Sequence, residues 1–179
     1  MQKNILVISS TLRKAGNSDI LADEFIRGAE SKGHSVEKIS LQAKQIGFCK
    51  GCLSCQKTQN CIIKDDVAAI LEKIKTADVI AFATPIYFYE ICGQLKTLLD
   101  RTNPLFTTDY QFREIYLLAT AADTDSHAVD NAVKAVNGWV ECFPKTSLKG
   151  VVFGGGVTNV GEVRNTSAAE QAFKAGQNV

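Results

Sequence analysis

Short apolar runs alternate with stretches of helical periodicity along the whole chain, and this alternation limits the fold more than any other feature. Three of the runs are largely continuous and apolar, which is typical of strands buried on both faces of a sheet, and a fourth is interrupted by Lys149. A fifth run alternates apolar with polar residues, as a strand with one exposed face does. The predicted strands are residues 4–8, 35–41, 78–83, 114–120 and 148–153.

The stretches between these runs carry apolar residues at helical spacing, which predicts a helix after each strand. Two carboxylates, Asp65 and Asp66, begin one of these helices, where the helix dipole favours negative charge. Strands joined by helical crossovers form a parallel sheet covered on both faces. The sequence therefore predicts one α/β domain over residues 1–179: a flavodoxin-like, doubly wound, five-stranded parallel sheet in the order 2-1-3-4-5, with helices on both faces. The other predicted helices are residues 18–31, 92–101, 128–142 and 167–175.

The composition excludes several classes of protein. Hydrophobic residues make up 45% of the 179 residues and charged residues 22%, which is typical of a globular protein and not of a disordered chain. A net charge of +1, without a basic run, gives no field that would attract nucleic acid. The first apolar run is too short for a signal peptide or a membrane span, so we expect a cytoplasmic protein with no membrane association.

Three loops follow the carboxyl ends of the predicted strands, where sheets of this kind bind their ligands. The first, residues 9–18, carries Thr11, Arg13, Asn17 and Ser18 directly before a helix. Backbone N–H groups at a helix start, together with hydroxyl groups and a guanidinium, suit a phosphate. The alternative is an ordinary polar connection in which Asn17 or Ser18 caps the helix. We call residues 9–18 the phosphate loop.

The second and third loops suit a planar ring. Residues 84–91 place three aromatic side chains, Tyr87, Phe88 and Tyr89, at the end of a buried strand. The alternative is an aromatic patch that packs under the next helix or against a partner subunit. Residues 120–122 are small and would let a ring approach the backbone closely.

Four of the six cysteines lie within residues 45–64, which we call the cysteine loop. Their spacing, C-x2-C-x2-C-x5-C, allows three thiolates to bind three irons of a cuboidal cluster and the fourth to complete it. Clustered thiols in a reducing compartment bind metal or do redox work more often than they form structural disulfides. Three alternatives stay open: a loop without metal, a zinc site and a redox disulfide. Zinc is less favoured because structural zinc loops use two separated pairs of cysteines. The four candidate ligands are Cys49, Cys52, Cys55 and Cys61.

Three motifs resemble the NAD(P)H-dependent FMN reductase family. Residues 8–18, ISSTLRKAGNS, resemble its phosphate loop ISGSPRKNGNS, with Ser10 in place of glycine and Leu12 in place of proline. ATPIYF at residues 83–88, followed by QLK and LDR, is similar to its TPIYW…QLKxxxDR segment. The cysteine spacing, followed by Asp65 and Asp66, resembles the iron–sulfur flavoprotein branch of the family.

The resemblance implies an FMN-dependent oxidoreductase with NAD(P)H as co-substrate and a quinone, a flavin or a redox protein as acceptor. It implies that the four cysteines hold a 4Fe-4S cluster, that no side chain acts as a catalytic acid or base, and that the protein is a homodimer or homotetramer. Two other functions stay open: a non-enzymatic electron carrier, and a binding module without a cofactor. By resemblance, the FMN phosphate would be held by Thr11, Arg13, Asn17 and Ser18, and the ring would be bordered by Thr84, Pro85, Ile86, Tyr87, Phe88, Thr120, Ala121 and Ala122.

Overall fold

The computed structural model describes residues 1–179 and contains a parallel sheet between two layers of helices. Five strands pair in parallel in the order β2-β1-β3-β5-β6, which confirms the predicted 2-1-3-4-5 arrangement. One further short strand, β4, pairs antiparallel with the end of β3 and was not predicted. The strands are β1 (Asn4–Ser9), β2 (Ser35–Ser40), β3 (Val79–Tyr87), β4 (Glu90–Ile91), β5 (Glu114–Thr120) and β6 (Ser147–Gly154).

A helix follows each parallel strand, as predicted, and a short helix within the cysteine loop is added. This added helix, α2, is only five residues long, so helical periodicity could not predict it. None of the helices combines the length and the apolar character that a membrane crossing requires. The helices are α1 (Asn17–Glu30), α2 (Ser54–Thr58), α3 (Val67–Thr76), α4 (Gly93–Asp100), α5 (Asp130–Glu141) and α6 (Ser167–Gln177), and the 3-10 turns are Asn103–Thr107, Ser126–Val129 and Glu162–Asn165.

The central strands β1, β3 and β5 are buried on both faces, which explains why they are nearly continuous apolar runs. Successive side chains of β3 point to opposite faces: Ile80 and Phe82 pack in one core with α3, α4 and α5, whereas Ala81 packs in the other with α1 and α6. α1 and α6 cross closely because both carry glycine at the contact. A Cβ atom on Gly28 would lie 2.0 Å from the carbonyl oxygen of Phe173 in α6.

The two cysteines outside the cysteine loop differ in burial. Both lie in helical patterns, which predicts two buried side chains. Cys92, before α4, is buried, whereas Cys142 is exposed at the end of α5. The prediction for Cys142 was wrong because this end of α5 faces solvent.

Parallel pairing brings the carboxyl ends of β1, β3, β5 and β6 to one edge of the sheet. The loops that follow these strands meet there. Three of them are the loops that the sequence singled out, and the fourth follows β6.

Candidate functional site

A cavity of ≈ 200 Å³ lies at the carboxyl edge of the sheet, where the loops after β1, β3, β5 and β6 meet. It brings together ten of the residues that the sequence predicted to bind a cofactor, and adds three that the sequence did not indicate. The predicted residues at the cavity are Thr11, Arg13, Asn17, Ser18, Pro85, Ile86, Tyr87, Thr120, Ala121 and Ala122, and the added ones are Gly16, Val157 and Thr158.

The start of α1 presents unpaired hydrogen-bond donors to one end of this cavity. The helix is capped by Gly16, not by a side chain, and the N–H groups of Asn17, Ser18 and Asp19 have no backbone acceptor. The Ser18 hydroxyl is buried without a hydrogen-bond partner. A buried polar group left unpaired costs about 1–3 kcal/mol, so this arrangement favours a ligand that accepts hydrogen bonds.

The phosphate loop holds Gly16 where a larger side chain would not fit. A Cβ atom on Gly16 would lie 2.8 Å from Oγ1 of Thr11, so a larger residue would push into the loop. Free amides at a helix N-terminus bind phosphate groups. The residues at this end of the cavity therefore fit the phosphate of FMN.

Arg13 and Asn17 hold the loop after β6, whereas the sequence predicted that both bind phosphate. Nη1 of Arg13 donates to the carbonyl oxygen of Thr158 at 2.8 Å, and Nδ2 of Asn17 donates to that of Asn159 at 2.9 Å. Oδ1 of Asn17 accepts from two backbone N–H groups of the same loop, at 3.1 and 3.3 Å. We call residues 157–165 the cap segment. The Asn17 side chain therefore positions the cap segment and has little capacity left for a ligand, whereas Arg13 keeps free N–H groups.

Ser10, which stands in place of the family's glycine, joins two strands. Its hydroxyl donates to the carbonyl oxygen of Ala83 at 2.8 Å and accepts from the Cys92 thiol at 3.2 Å. The extra side chain is thus buried between β1 and β3 and stays out of the cavity. Leu12, in place of the family's proline, is half-exposed at the surface of the loop.

Two predicted ring-binding residues do not line the cavity. Thr84 is fully buried, and its hydroxyl accepts from the backbone N–H of Cys92 at 3.2 Å. Phe88 is fully exposed, because β3 continues past the cavity and turns into β4 at Phe88 and Tyr89. Both turn residues are left-handed, with φ of 51° and 63°, a conformation that favours Asn and Gly in a two-residue hairpin. The sequence could not show that the strand continues, so it placed Phe88 at the ring.

Tyr89 connects this hairpin to the loop after β5. Its hydroxyl donates to Oδ2 of Asp123 at 3.0 Å, and this hydrogen bond raises the pKa of Tyr89. The carbonyl oxygen of Asp123 accepts from the backbone N–H of Gly156 at 2.9 Å. Asp123 therefore links the three loops that surround the predicted ring end of the cavity.

The cysteine loop does not assemble a metal site in this structure. Cys49 and Cys52 are exposed, Cys61 is half-buried and Cys55 is buried in α2. No three His, Cys, Asp or Glu side chains come close enough together to hold one ion. Burial raises the pKa of the Cys55 thiol. The all-thiol donor set suits iron–sulfur chemistry, but its present placement is open.

The base of the cysteine loop is closed by a buried ion pair that the sequence did not indicate. Nη1 of Arg101 donates to Oδ2 of Asp65 at 2.7 Å, and Nη2 donates to Oδ1 at 3.0 Å. Burial alone would raise the pKa of Asp65, but hydrogen bonds from Arg101, Gly47 and Val67 lower it below its usual value. Asp65 precedes α3, which begins at Val67, two residues later than predicted, because its carboxylate is engaged with Arg101.

Comparison with known proteins finds relatives in the family that the sequence motifs resemble. The family model for NADPH-dependent FMN reductase matches residues 3–158. An iron–sulfur flavoprotein of Methanocaldococcus jannaschii is 40% identical over 101 residues, which cover 56% of this chain and 52% of that protein. An iron–sulfur flavoprotein of Methanosarcina thermophila is 24% identical over 74% of this chain and 70% of that protein. Several of these matches, that of M. jannaschii included, span only about half the length of the relative.

Solved structures with this fold cover nearly the whole chain. A NAD(P)H:quinone oxidoreductase from Methanothermobacter marburgensis superposes with a TM-score of 0.77 over 99% of this chain and 96% of that chain, at 18% identity. An azoreductase from Bacillus anthracis superposes with a TM-score of 0.75 over 99% of this chain and 100% of that chain, at 16% identity. These neighbours establish the flavodoxin-like fold, and the match over residues 3–158 establishes that the chain belongs to the NADPH-dependent FMN reductase family.

Proposed function

We propose that this chain binds FMN in the cavity at the carboxyl edge of the sheet and transfers electrons from NAD(P)H to an acceptor. The observation that carries the proposal is the start of α1, where free amides and the unpaired Ser18 hydroxyl meet in a buried site. These donors match the charge and the hydrogen-bonding capacity of a phosphate. Membership of the FMN reductase family supports the same assignment.

The phosphate loop holds the anionic end of the cofactor in this proposal. The amides of α1, the hydroxyls of Thr11 and Ser18 and the free N–H groups of Arg13 donate to the phosphate. Asn17 acts indirectly, because its side chain fixes the cap segment beside the loop. The same segment contributes Val157 and Thr158 to the cavity wall and shields the phosphate end from solvent.

Two short segments of backbone border the ring. Pro85, Ile86 and Tyr87 form one side of the cavity, and residues 120–122 form another. Bound FMN supplies hydride acceptance and single-electron donation, and the protein supplies binding, orientation and electrostatics. The small side chains of Ala121 and Ala122 let the ring lie against the backbone. The chain needs no acid or base of its own for this chemistry.

The cysteine loop would carry electrons onward. We propose that Cys49, Cys52, Cys55 and Cys61 close around a 4Fe-4S cluster when iron and sulfide are supplied. The spacing of the thiols and the absence of carboxylates among them support this assignment. A quinone, a flavin or a redox protein would take the electrons. The exposed aromatic side chains Phe88 and Phe106 are candidate contacts between copies in a homodimer or homotetramer.

One experiment tests flavin binding and electron donation in sequence. FMN is titrated into the purified protein while its fluorescence is followed, and the complex is then mixed anaerobically with NADPH or NADH in a stopped-flow instrument. We expect FMN fluorescence to be quenched and the flavin absorption to bleach with at least one nicotinamide. A protein that binds no FMN overturns the flavin assignment. A complex that binds FMN but is reduced by neither nucleotide would be an electron carrier and not a reductase.

A further inference from the structure

Arg101 is buried beneath the cysteine loop in a position where a charged side chain is costly. It follows α4, whose inward positions are otherwise leucines, Leu95, Leu98 and Leu99. Its side chain is 1% exposed. Removing a guanidinium from water carries a penalty of several kcal/mol, and an apolar residue of similar size is often as stable or more so. Packing alone therefore does not explain why an arginine occupies this buried position.

The contacts of Arg101 tie together the two ends of the cysteine loop. Its Nη1 donates to the carbonyl oxygen of Gly47 at 2.6 Å and to Asp65, and the N–H of Gly47 donates to Oδ2 of Asp65 at 2.8 Å. A second link lies beside it, where the N–H of Gln45 donates to Oδ2 of Asp66 at 2.7 Å. Gln45 and Gly47 lie at the start of the loop and Asp65 directly follows its end, so these contacts close the loop at its base.

The guanidinium also bridges the two ends of the cluster motif. It contacts Gly47, two residues before Cys49, and Asp65, four residues after Cys61. The Nε of Arg101 is buried and has no hydrogen-bond partner, although both other nitrogens are engaged. One donor of a buried cation thus remains free at the base of the cysteine loop.

We propose that Arg101 is a positioning residue for the cysteine loop: it locks the base of the loop through Asp65 and Gly47, and its positive charge offsets the negative charge of a cluster held by the thiolates. This inference rests on the proposed cluster. Four thiolates gathered on one cluster repel one another, and a cation beneath them lowers the cost of that gathering. Charge and hydrogen bonds near the sulfurs also set the reduction potential of iron–sulfur clusters.

Two substitutions break the same ion pair but change the charge in opposite directions. Arg101→Met removes a positive charge, and Asp65→Asn removes a negative one. Each protein is reconstituted anaerobically with ferrous iron and sulfide, and the reduction potential of the cluster is measured by redox titration with electron paramagnetic resonance. We expect the potential to fall in Arg101→Met and to rise in Asp65→Asn. If both potentials shift in the same direction, or neither shifts, Arg101 has only a structural role and the proposal is overturned.

A matched control separates the buried charge from charge in general. Lys96→Met removes a positive charge from the same helix, where Lys96 forms an exposed pair with Asp100. We expect this variant to keep the potential and iron content of the wild type. Arg101→Lys keeps the charge and loses the paired hydrogen bonds. If Arg101→Met does not fold, Arg101→Lys takes its place. The reduction potential of the cluster should then stay near the wild-type value in Arg101→Lys and rise in Asp65→Asn.

The positioning role has its own measurement in the protein without metal. Hydrogen exchange of the Gly47 amide should accelerate in Arg101→Met and Asp65→Asn and stay unchanged in Lys96→Met. Loss of such support typically weakens metal binding about 10-fold or more, so the iron bound at limiting concentration should fall while FMN binding persists. Unchanged exchange in both variants contradicts the positioning role. A wild-type protein that takes up no iron overturns the proposed cluster instead, and the exchange result then still decides the role of Arg101 in the loop.

Discussion

The phosphate loop and the cysteine loop follow neighbouring strands of the same sheet, yet the first is prepared for a ligand and the second is open. In the phosphate loop, Ser10, Thr11, Asn17 and Ser18 are buried, and free backbone amides already converge. In the cysteine loop, Cys49 and Cys52 are exposed and no metal site is assembled. The fold alone brings the backbone donors of the proposed phosphate site together, whereas it leaves the thiols of the proposed cluster site apart.

The lengths of the two loops explain the difference. The connection between β1 and α1 is short and is held on one side by β3 and on the other by the cap segment. The connection between β2 and α3 extends from Ser40 to Val67 and is held mainly at its base. A longer loop loses more conformational entropy when its ends and its side chains are fixed. The cluster proposed for the cysteine loop would have to offset that loss.

The largest expected effect comes from removing one thiol. Cys55→Ser should abolish cluster binding, because it removes one of the four thiolates that we propose as ligands. Bound FMN should be unchanged, because the cavity contains no residue of the cysteine loop. Iron, acid-labile sulfide and FMN per chain after anaerobic reconstitution check both statements.

Cys92, which is buried outside the cysteine loop, provides a control for this substitution. Cys92→Ser removes a thiol outside the loop and should leave the iron content at the wild-type level. A loss of FMN together with iron in Cys55→Ser would show that the two sites depend on each other and would break the comparison.

The next largest effect concerns the base of the cysteine loop. Asp65→Asn leaves Arg101 buried without its counter-ion, which should lower the free energy of unfolding by about 3–5 kcal/mol. Because the pKa of Asp65 is lowered in the folded state, its stabilising contribution is present above the ordinary carboxyl value of about 4 and is lost as the pH falls through the lowered value. The difference between wild type and variant should therefore be constant near neutral pH and should shrink in acid.

Urea unfolding of the metal-free proteins, followed by circular dichroism at several pH values, measures this difference. Asp100→Asn, which removes an exposed carboxylate from the neighbouring helix, serves as the control and should change stability little. A difference between wild type and Asp65→Asn that grows on acidification would contradict the assigned role of the ion pair.

The fold followed from the sequence because the strands are buried on both faces. Ile80 and Phe82 face one core and Ala81 the other, so the run around them had to be apolar throughout and could be recognised. The β3–β4 hairpin could not be predicted, because its turn uses Phe88 and Tyr89, residues that do not favour the left-handed conformation found there. When the residues of a turn do not favour its backbone conformation, their propensities cannot predict the turn.

The site was predictable where it depends on local sequence and not where it depends on distant contacts. Ser18 could be placed at a helix start because the helical periodicity that follows it is a local feature of the sequence. Arg13 and Asn17 also line the cavity, but their partners lie in the cap segment, about 140 residues further along the chain. Arg101 directly follows a helix whose inward face is lined by leucines, and only the tertiary structure places it beneath the cysteine loop.

Replacing Ser18 should have a smaller effect, in which the stability of the FMN-free protein rises while its affinity for FMN falls. Ser18→Ala removes a buried hydroxyl that has no partner, so the FMN-free protein should become more stable by about 1 kcal/mol. The same change removes a donor to the phosphate and should weaken FMN binding about 10-fold. Thermal unfolding and fluorescence titration report the two quantities.

Ser31→Ala, at the other end of α1, is the matched control. The Ser31 hydroxyl already donates to the carbonyl oxygen of Gly28 and lies away from the cavity, so its loss should not affect FMN binding. A Ser18→Ala variant that binds FMN as tightly as the wild type would show that the hydroxyl does not contact the phosphate.

The smallest effects come from two exposed residues that hold left-handed backbone, one in each loop. Ala15 has φ of 51° in the phosphate loop, and Leu53 has φ of 56° in the cysteine loop. Glycine relieves about 1–2 kcal/mol of strain at such a position but adds about 0.5–1 kcal/mol of conformational entropy to the unfolded chain. Ala15→Gly and Leu53→Gly should therefore each stabilise the metal-free protein by no more than about 1 kcal/mol.

FMN affinity should distinguish the two glycine variants, although their stabilities are similar. Ala15→Gly adds backbone freedom to the phosphate loop, which we propose is ordered before FMN binds. FMN binding would then have to order the loop, so FMN affinity should fall severalfold. Leu53→Gly adds freedom to a loop that FMN does not contact, so FMN affinity should be that of the wild type. Equal FMN affinities in the two variants would mean that the phosphate loop is not preorganised by its backbone. The amides of α1 would then have to be fixed by the ligand itself, as we propose for the thiols of the cysteine loop and their metal.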